Sequence, residues 1–268
     1  DMLASVSTTE TSTADAVAPE AATPSTVPHG SIPYRTDIDG IRAVAVVLVV
    51  LYHAGVPGFS GGYIGVDVFF ALSGFLITSV IMAQASSGRF SLVGFYAGRV
   101  RRLLPLSLLT LVTTVAFGVW LLPSTRAVEL VNDARSALFY VANRRFADKA
   151  VAYVDTDVTD GMLTHFWSLS VEEQFYFVWP LLIGGAALIA HRSARLSLRA
   201  MVIAITSIVS AGSLLASLLL TSSGGSAAYY ATHLRLWEMS LGGLLAALGA
   251  SVAGRVRTLA TLQVTALG

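Results

Sequence analysis

The chain predicts an all-α fold, a polytopic bundle of transmembrane helices with about six complete spans and the start of a seventh. Three observations carry this. Of 268 residues, 54% are hydrophobic and 12% charged, and the mean hydropathy is +0.70, well away from the quarter of charged residues usual in soluble domains. Six runs are long and apolar enough to cross a bilayer: 38–54, 63–84, 103–122, 169–190, 200–221 and 236–253. Finally, alternate connections carry only basic charge.

Before the first run, residues 1–31 are built from Ala, Ser, Thr, Pro and Val without helical or strand period. They read as a disordered tail on a transmembrane domain at 32–268. The tail lacks the basic start, apolar centre and small-residue site of a secretory signal, so insertion falls to the first spanning helix.

The connection after the second run holds Arg89, Arg99, Arg101 and Arg102, that after the fourth Arg192, Arg195 and Arg199, and that after the sixth Arg255 and Arg257, with no acid in any of them. The connections 55–62 and 222–233 carry no Lys, Arg, Asp or Glu, and 123–165 carries five basic against six acidic residues. The positive-inside rule therefore puts the N-terminus and the Arg loops in the cytoplasm of a cell-membrane protein. Within 123–165, the apolar stretch 137–142 is too short to cross and reads as a surface or re-entrant helix. A seventh run begins near Leu259 and is cut off at Gly268, so the transmembrane domain reads as incomplete at its C-terminus.

Composition also excludes functions. Sixteen acidic against seventeen basic residues leave +1, no basic surface for nucleic acid. Without Cys there is no thiolate nucleophile, zinc-thiolate site or iron–sulfur cluster, and no metal site is expected. His and carboxylate chemistry remains.

Ionisable groups inside apolar runs cost a few kcal/mol each on insertion scales and are kept where they face a bundle interior or wet cavity. Arg42 and His53 are eleven residues apart, which returns to within about 20° on a helix and separates them by about 16 Å. Alone, Arg42 reads as a snorkelling interfacial residue and His53 as an interfacial imidazole bonded to a backbone carbonyl. Asp67 reads equally as an acid at a helix N-terminus, with Gly65 and Gly74 allowing close helix contact. Around His165, Trp167, Glu172 and Glu173, the spacing of Ser170 and Glu173 matches a capping box. The two Glu side chains point about 100° apart, so one at most shares a site with His165 or His53. Arg235 and Glu238 read as a local i, i+3 ion pair. The cluster Arg99, Arg101 and Arg102 reads either as positive-inside anchoring or as forks for the phosphates of a ligand.

Five sequence words in order resemble the family 3 acyltransferases, bacterial membrane O-acylases of peptidoglycan, lipopolysaccharide and other extracellular glycans. They are Tyr34-Arg-Thr-Asp-Ile-Asp39-Gly40-Ile-Arg42 running to His53; Gly62-Tyr-Ile-Gly65-Val-Asp67 to Ser73-Gly74-Phe75; Phe95-Tyr-Ala-Gly-Arg99-Val-Arg101-Arg102-Leu-Leu-Pro105; His165-Phe-Trp167-Ser-Leu-Ser-Val-Glu172-Glu173-Gln174-Phe-Tyr176; and Arg235-Leu-Trp237-Glu238. The resemblance implies that the pair needed for acyl transfer falls on Arg42 and His53, and the family's Arg-x-x-Arg element on Arg99 and Arg102. It also implies more spanning helices than this chain holds, and in some members an extracellular transferase domain, C-terminal or separate.

The expected activity is O-acyl transfer, acetyl in the first instance, from cytosolic acetyl-CoA to a hydroxyl of an extracytoplasmic glycan or glycolipid. Arg99 and Arg102, with Arg101, would take the cofactor phosphates. His53 would serve as general base, and Glu172 or Glu173 would orient it or a sugar. Arg42 would stabilise the thioester oxygen or hold the cofactor arm, and Asp67, His165 and Trp167 would bind the acceptor. Such a site needs an internal path from the imidazole to the Arg cluster. A transporter or flippase of an envelope precursor, or a scaffold subunit, remains the competing reading.

Overall fold

The computed structural model describes residues 36–152, 161–193, 195–224 and 227–266. The tail 1–31 lies outside them. Among the described residues every regular element is a helix: α1 (Thr36–His53), α2 (Ile64–Ser86), α3 (Leu92–Leu121), α4 (Ser124–Leu138), α5 (Ala142–Ala152), α6 (Phe166–Arg192), α7 (Leu198–Gly224), α8 (Ala227–Tyr230) and α9 (Thr232–Ala266). Among them α2, α3, α6 and α7 are long and apolar enough to cross a membrane. The expected first span is less apolar, since α1 carries Asp37, Asp39 and Arg42 within 18 residues.

Side-chain pairs give the helix directions. Along α2 and α6, Phe70 meets Trp167, Ser73 meets Glu172 and Thr78 meets Trp179, so these helices run the same way. Asp67 meets Arg235, and Gly74 lies against the Met239 carbonyl, so α9 runs with them. Helix α7 opposes α9 through Ser213 with His233 and Ser210 with Ser240. Helix α3 opposes α6 through Tyr96 with Phe177 and Arg99 with Glu173, and α1 opposes α2 where Gly65 meets Ala45. Because α3 and α6 are antiparallel, the chain between them returns to the end it left. The short helices α4 and α5 therefore make no extra crossing, as their length requires.

Two boundaries differ from the sequence reading. The Arg cluster is helical: Ser91 caps α3 by accepting the Gly94 amide at 3.2 Å, so the helix starts eleven residues before Leu103 and passes through Pro105. Arg is a good helix former, and charge alone does not end a helix. Helix α9 likewise runs unbroken through Arg255 and Arg257, so the seventh run continues the sixth helix instead of following a loop.

The core lies between α2, α6, α7 and α9 and includes Phe70, Ile81, Trp179, Ile183, Val202 and Met239. A Cβ on Gly74 or Gly242 would collide with the carbonyl of Met239 or Ala71. This backbone-to-backbone approach is the small-residue packing expected between helices in lipid. The α4–α5 pair is held by buried Asp133, which accepts from Arg145 at 2.5 Å and Lys149 at 2.7 Å. Its turn puts Tyr140 at φ 53°, a left-handed conformation that disfavours a side chain. Gln174 of α6 donates to the Tyr140 carbonyl at 2.8 Å and fixes that turn on the bundle.

Candidate active site

His53 is the last residue of α1, and its Nδ1–H donates to the Val49 carbonyl at 2.8 Å. That bond is the one expected of an interfacial imidazole, and it also fixes the tautomer, leaving Nε2 as an acceptor. The ring is exposed and stands edge-on to Tyr52, with centroids 5.1 Å apart. His165, just before α6, lies within electrostatic reach. Partial cover over its ring, and then the neighbouring His53, lower its pKa from the ordinary 6.5. An imidazole at the end of α1 and one just before α6 thus share one end of the bundle.

Beside them lies a charged cluster that the sequence showed only in part. Arg235 donates through Nη1 to Asp67 at 3.0 Å and to Glu238 at 2.7 Å, tying α2 to α9. Its guanidinium stands 4.6 Å from the Tyr229 ring and 5.7 Å from Trp167. Trp167 in turn packs on Phe70 of α2 and on Tyr229, at 6.1 and 4.7 Å. Burial, partly offset by Arg235, pushes the Tyr229 phenol up to about 12, so it remains a neutral donor. Arg235 was legible as a local partner of Glu238; its second partner could have been found by asking which unlike charge in another apolar run balances Asp67.

The second cluster separates the two adjacent glutamates. Glu172 turns to α2, accepting from Ser73 and, at 2.5 Å, from the Tyr176 hydroxyl. Glu173 turns to α3 and accepts from Arg99 Nη2 at 3.0 Å, while the guanidinium carbon of Arg99 stands 3.3 Å above the Tyr176 ring. The capping box does not form: α6 begins at Phe166, and Ser170 Oγ donates to the Phe166 carbonyl and accepts the Ala142 amide.

The expected Arg cluster is divided. Arg99 is in a part-buried ion pair seven residues into α6, about 10 Å from its start, whereas Arg101 bonds its own helix at Ala97 and Arg102 is exposed. Arg42 makes a loose pair with Asp39 at 3.9 Å. A cavity of about 1170 Å³ between α3, α5, α6, α7 and the α8–α9 turn includes Arg99 and Glu173 in its lining, but not His53, Arg42, Arg101 or Arg102. It therefore does not form the expected path from imidazole to Arg cluster.

The family described as "Acyltransferase domain" matches residues 35–267. Among curated relatives, YrhL of Bacillus subtilis is 37% identical over 217 residues, 80% of this chain and 33% of that protein. Peptidoglycan O-acetyltransferase OatA of Listeria monocytogenes is 40% identical over 148 residues, 55% of this chain and 24% of its own length. O-acetyltransferase OatA of Staphylococcus aureus is 33% identical over 214 residues, 80% and 34% respectively. The chain thus spans between about a quarter and a third of the length of these relatives. No solved structure matches it. With a family match across nearly the whole chain and the five sequence words set on one helical bundle, this protein belongs to the membrane acyltransferase family that those words resemble.

Proposed function

We propose that the protein transfers an acyl group, acetyl in the first instance, from acyl-CoA to a hydroxyl of a cell-envelope glycan, in the manner named for its relatives. The observation that carries this reading is the bond from His53 Nδ1–H to Val49 O, which leaves Nε2 without a hydrogen-bond partner among the described residues, on an exposed ring at the end of α1. A neutral imidazole held in one tautomer is suited to general-base work near pH 7. Nε2 takes the proton of the acceptor hydroxyl as its oxygen attacks the thioester carbon. The C–O bond forms, the C–S bond breaks, and the thiolate leaves to be protonated.

The other residues take supporting parts. Arg42 lies about 16 Å down the same stripe of α1, too far to meet the carbonyl on which His53 acts, so its part is to hold the donor's arm. Arg101 and Arg102 keep exposed guanidinium groups for the donor's phosphates, while Arg99 is committed to Glu173. Asp67, His165 and Trp167 face the acceptor, with Asp67 and Trp167 fixed by Arg235. Orientation with the N-terminus in the cytoplasm follows from the acid-free connection holding Arg192, Arg195 and Arg199.

The test uses the full-length protein in membranes with labelled acyl-CoA and a glycan acceptor. His53→Gln keeps a side-chain donor but loses the base, and should lower turnover by about 10² or more with insertion unchanged. Loss under about tenfold overturns the assignment. Arg101→Ala with Arg102→Ala should weaken acyl-CoA binding; unchanged binding leaves those residues as membrane anchors.

A further inference from the structure

The cavity is not one of the acceptor or donor elements assigned above, and its walls are graded. Leu104, Phe177, Val178 and Leu182 line it and are also exposed, so among the described residues it opens sideways between α3 and α6. Phe175 and Trp179 close its inner side. At one end the lining becomes polar: Tyr140, Asn143 and Arg144 from the α4–α5 turn and α5, with Tyr230, Thr232 and His233 from the α8–α9 turn. The polar rim is held together, since Asn143, Gln174 and Thr232 bond one another at 2.6–2.9 Å. Arg144 is exposed there and has no ion-pair partner among the described residues, with Asp148 one turn along α5. Deeper in, Arg99 Nε is buried without an acceptor.

The rim also continues to the imidazoles. Tyr230 lines the cavity and packs on Tyr229 and Trp167, at 5.3 and 5.6 Å, and Trp167 is two residues from His165. An apolar bore, a cation at its mouth and a short aromatic track towards His165, which lies within electrostatic reach of His53, match an amphiphile, with chain, anion and sugar in that order. At about 1170 Å³ the cavity is above the usual range for small-ligand pockets, about 300–1,000 Å³, and far larger than an acetyl group needs.

We infer that the acceptor is a lipid-linked glycan, its hydrocarbon chain lying in the cleft between α3 and α6, its phosphate at Arg144 and its sugar on the exposed ring of Tyr229, which Trp167 backs. This rests on the transferase reading proposed above. The chain enters laterally from the bilayer, which removes the cost of drawing a long apolar tail through water. The anchored glycan is then delivered at high effective concentration.

The experiment compares one glycan in two forms, joined to polyprenyl phosphate or free, as acceptors for the full-length protein in nanodiscs. Wild type should prefer the anchored form by about tenfold or more in kcat/KM, and Leu182→Trp, which fills the bore, should collapse that ratio. His53→Gln should depress both acceptors. If His53→Gln spares both, the transferase reading fails; if it depresses both while the wild-type ratio is near one, only the lipid anchor fails. As a check independent of folding of the Trp variant, a photoreactive polyprenyl phosphate should label α5 and α6 of wild type, and excess phosphatidylglycerol should not displace it. Displacement makes the site an ordinary bilayer-lipid groove, and absence of label means that other protein covers the cleft; either overturns the inference.

Discussion

Replacing Arg235 by Met tests the cluster that joins α2 to α9. The guanidinium serves two carboxylates, and the side chain of Glu238 is only 2% exposed, with one oxygen already lacking a partner. Asp67 is more open, at 33%. Methionine keeps the length and apolar stem but strands a buried carboxylate, and removing one member of a buried ion pair costs about 3–5 kcal/mol. For a chain of this size each kcal/mol moves Tm by roughly 2–4 °C, so Arg235→Met should melt on the order of 10 °C below wild type. Adding Glu238→Gln removes the stranded charge and should restore more than half of that loss. Thermal unfolding of both variants in matched nanodiscs measures it. A shift under about 2 °C for the single variant, or no recovery in the double variant, would refute the view that Arg235 is held by Glu238 more than by its ring contacts.

Four further outcomes are expected. Tyr176→Phe removes a donor to Glu172 and should cost about 1.5–3 kcal/mol, read as a lower unfolding midpoint; a midpoint equal to wild type would show Ser73 to suffice. Gly74→Ala drives a methyl into the Met239 carbonyl, so folded yield should fall sharply, whereas Gly249→Ala, whose added methyl meets nothing within 4 Å, should express normally. His165 has its pKa lowered in the folded state, so the unfolded chain binds a proton first as pH falls. Stability should therefore be full above about 6.5 and decline below it, and His165→Gln should flatten that decline; equal slopes would exclude His165 as its source. Asp133→Asn weakens the clamp on Arg145 and Lys149, and proteolysis within the α4–α5 segment should quicken while the rest of the bundle stays protected.

The helical bundle was legible because lipid requires long apolar runs, and α2, α6 and α7 of the core obey that requirement, whereas α9 carries Arg235 and Glu238 near its start and is less apolar. Length also ruled out a crossing at 137–142, but the stretch is the turn between α4 and α5 and not the surface or re-entrant helix expected of it. What failed to show was where charged residues end up. The Arg99, Arg101 and Arg102 stretch looks like a loop by composition, yet Ser91 starts a helix upstream and Glu173 draws Arg99 into the bundle. The Ser170 and Glu173 spacing fits a cap, but α6 starts a turn earlier and both side chains find tertiary partners. Lys149, the sole lysine, carried no pattern of its own; its role appears only when Asp133 folds against it. For the site, the stripe of Arg42 and His53 and the divergence of the two glutamates were readable from helix geometry. Arg235 as a hub shows in no local pattern, because its link to Asp67 spans 168 positions and emerges only when unlike charges in separate apolar runs are matched.

The glycine contacts at Gly74 and Gly242 set main chain against main chain, and such a seam has no side-chain slack with which to slide. Helices α2 and α9 therefore move as one stiff block. Helix α1, whose outward flank carries Val44, Val47 and Val50, joins that block through a seam of the same kind, since a Cβ on Gly62 or Gly65 would meet the carbonyl of Leu48 or Ala45. The imidazole at the end of α1 is thus carried on the same rigid frame as the Arg235 cluster, so its height and angle are set by the packing of three helices and not by its own side chain alone.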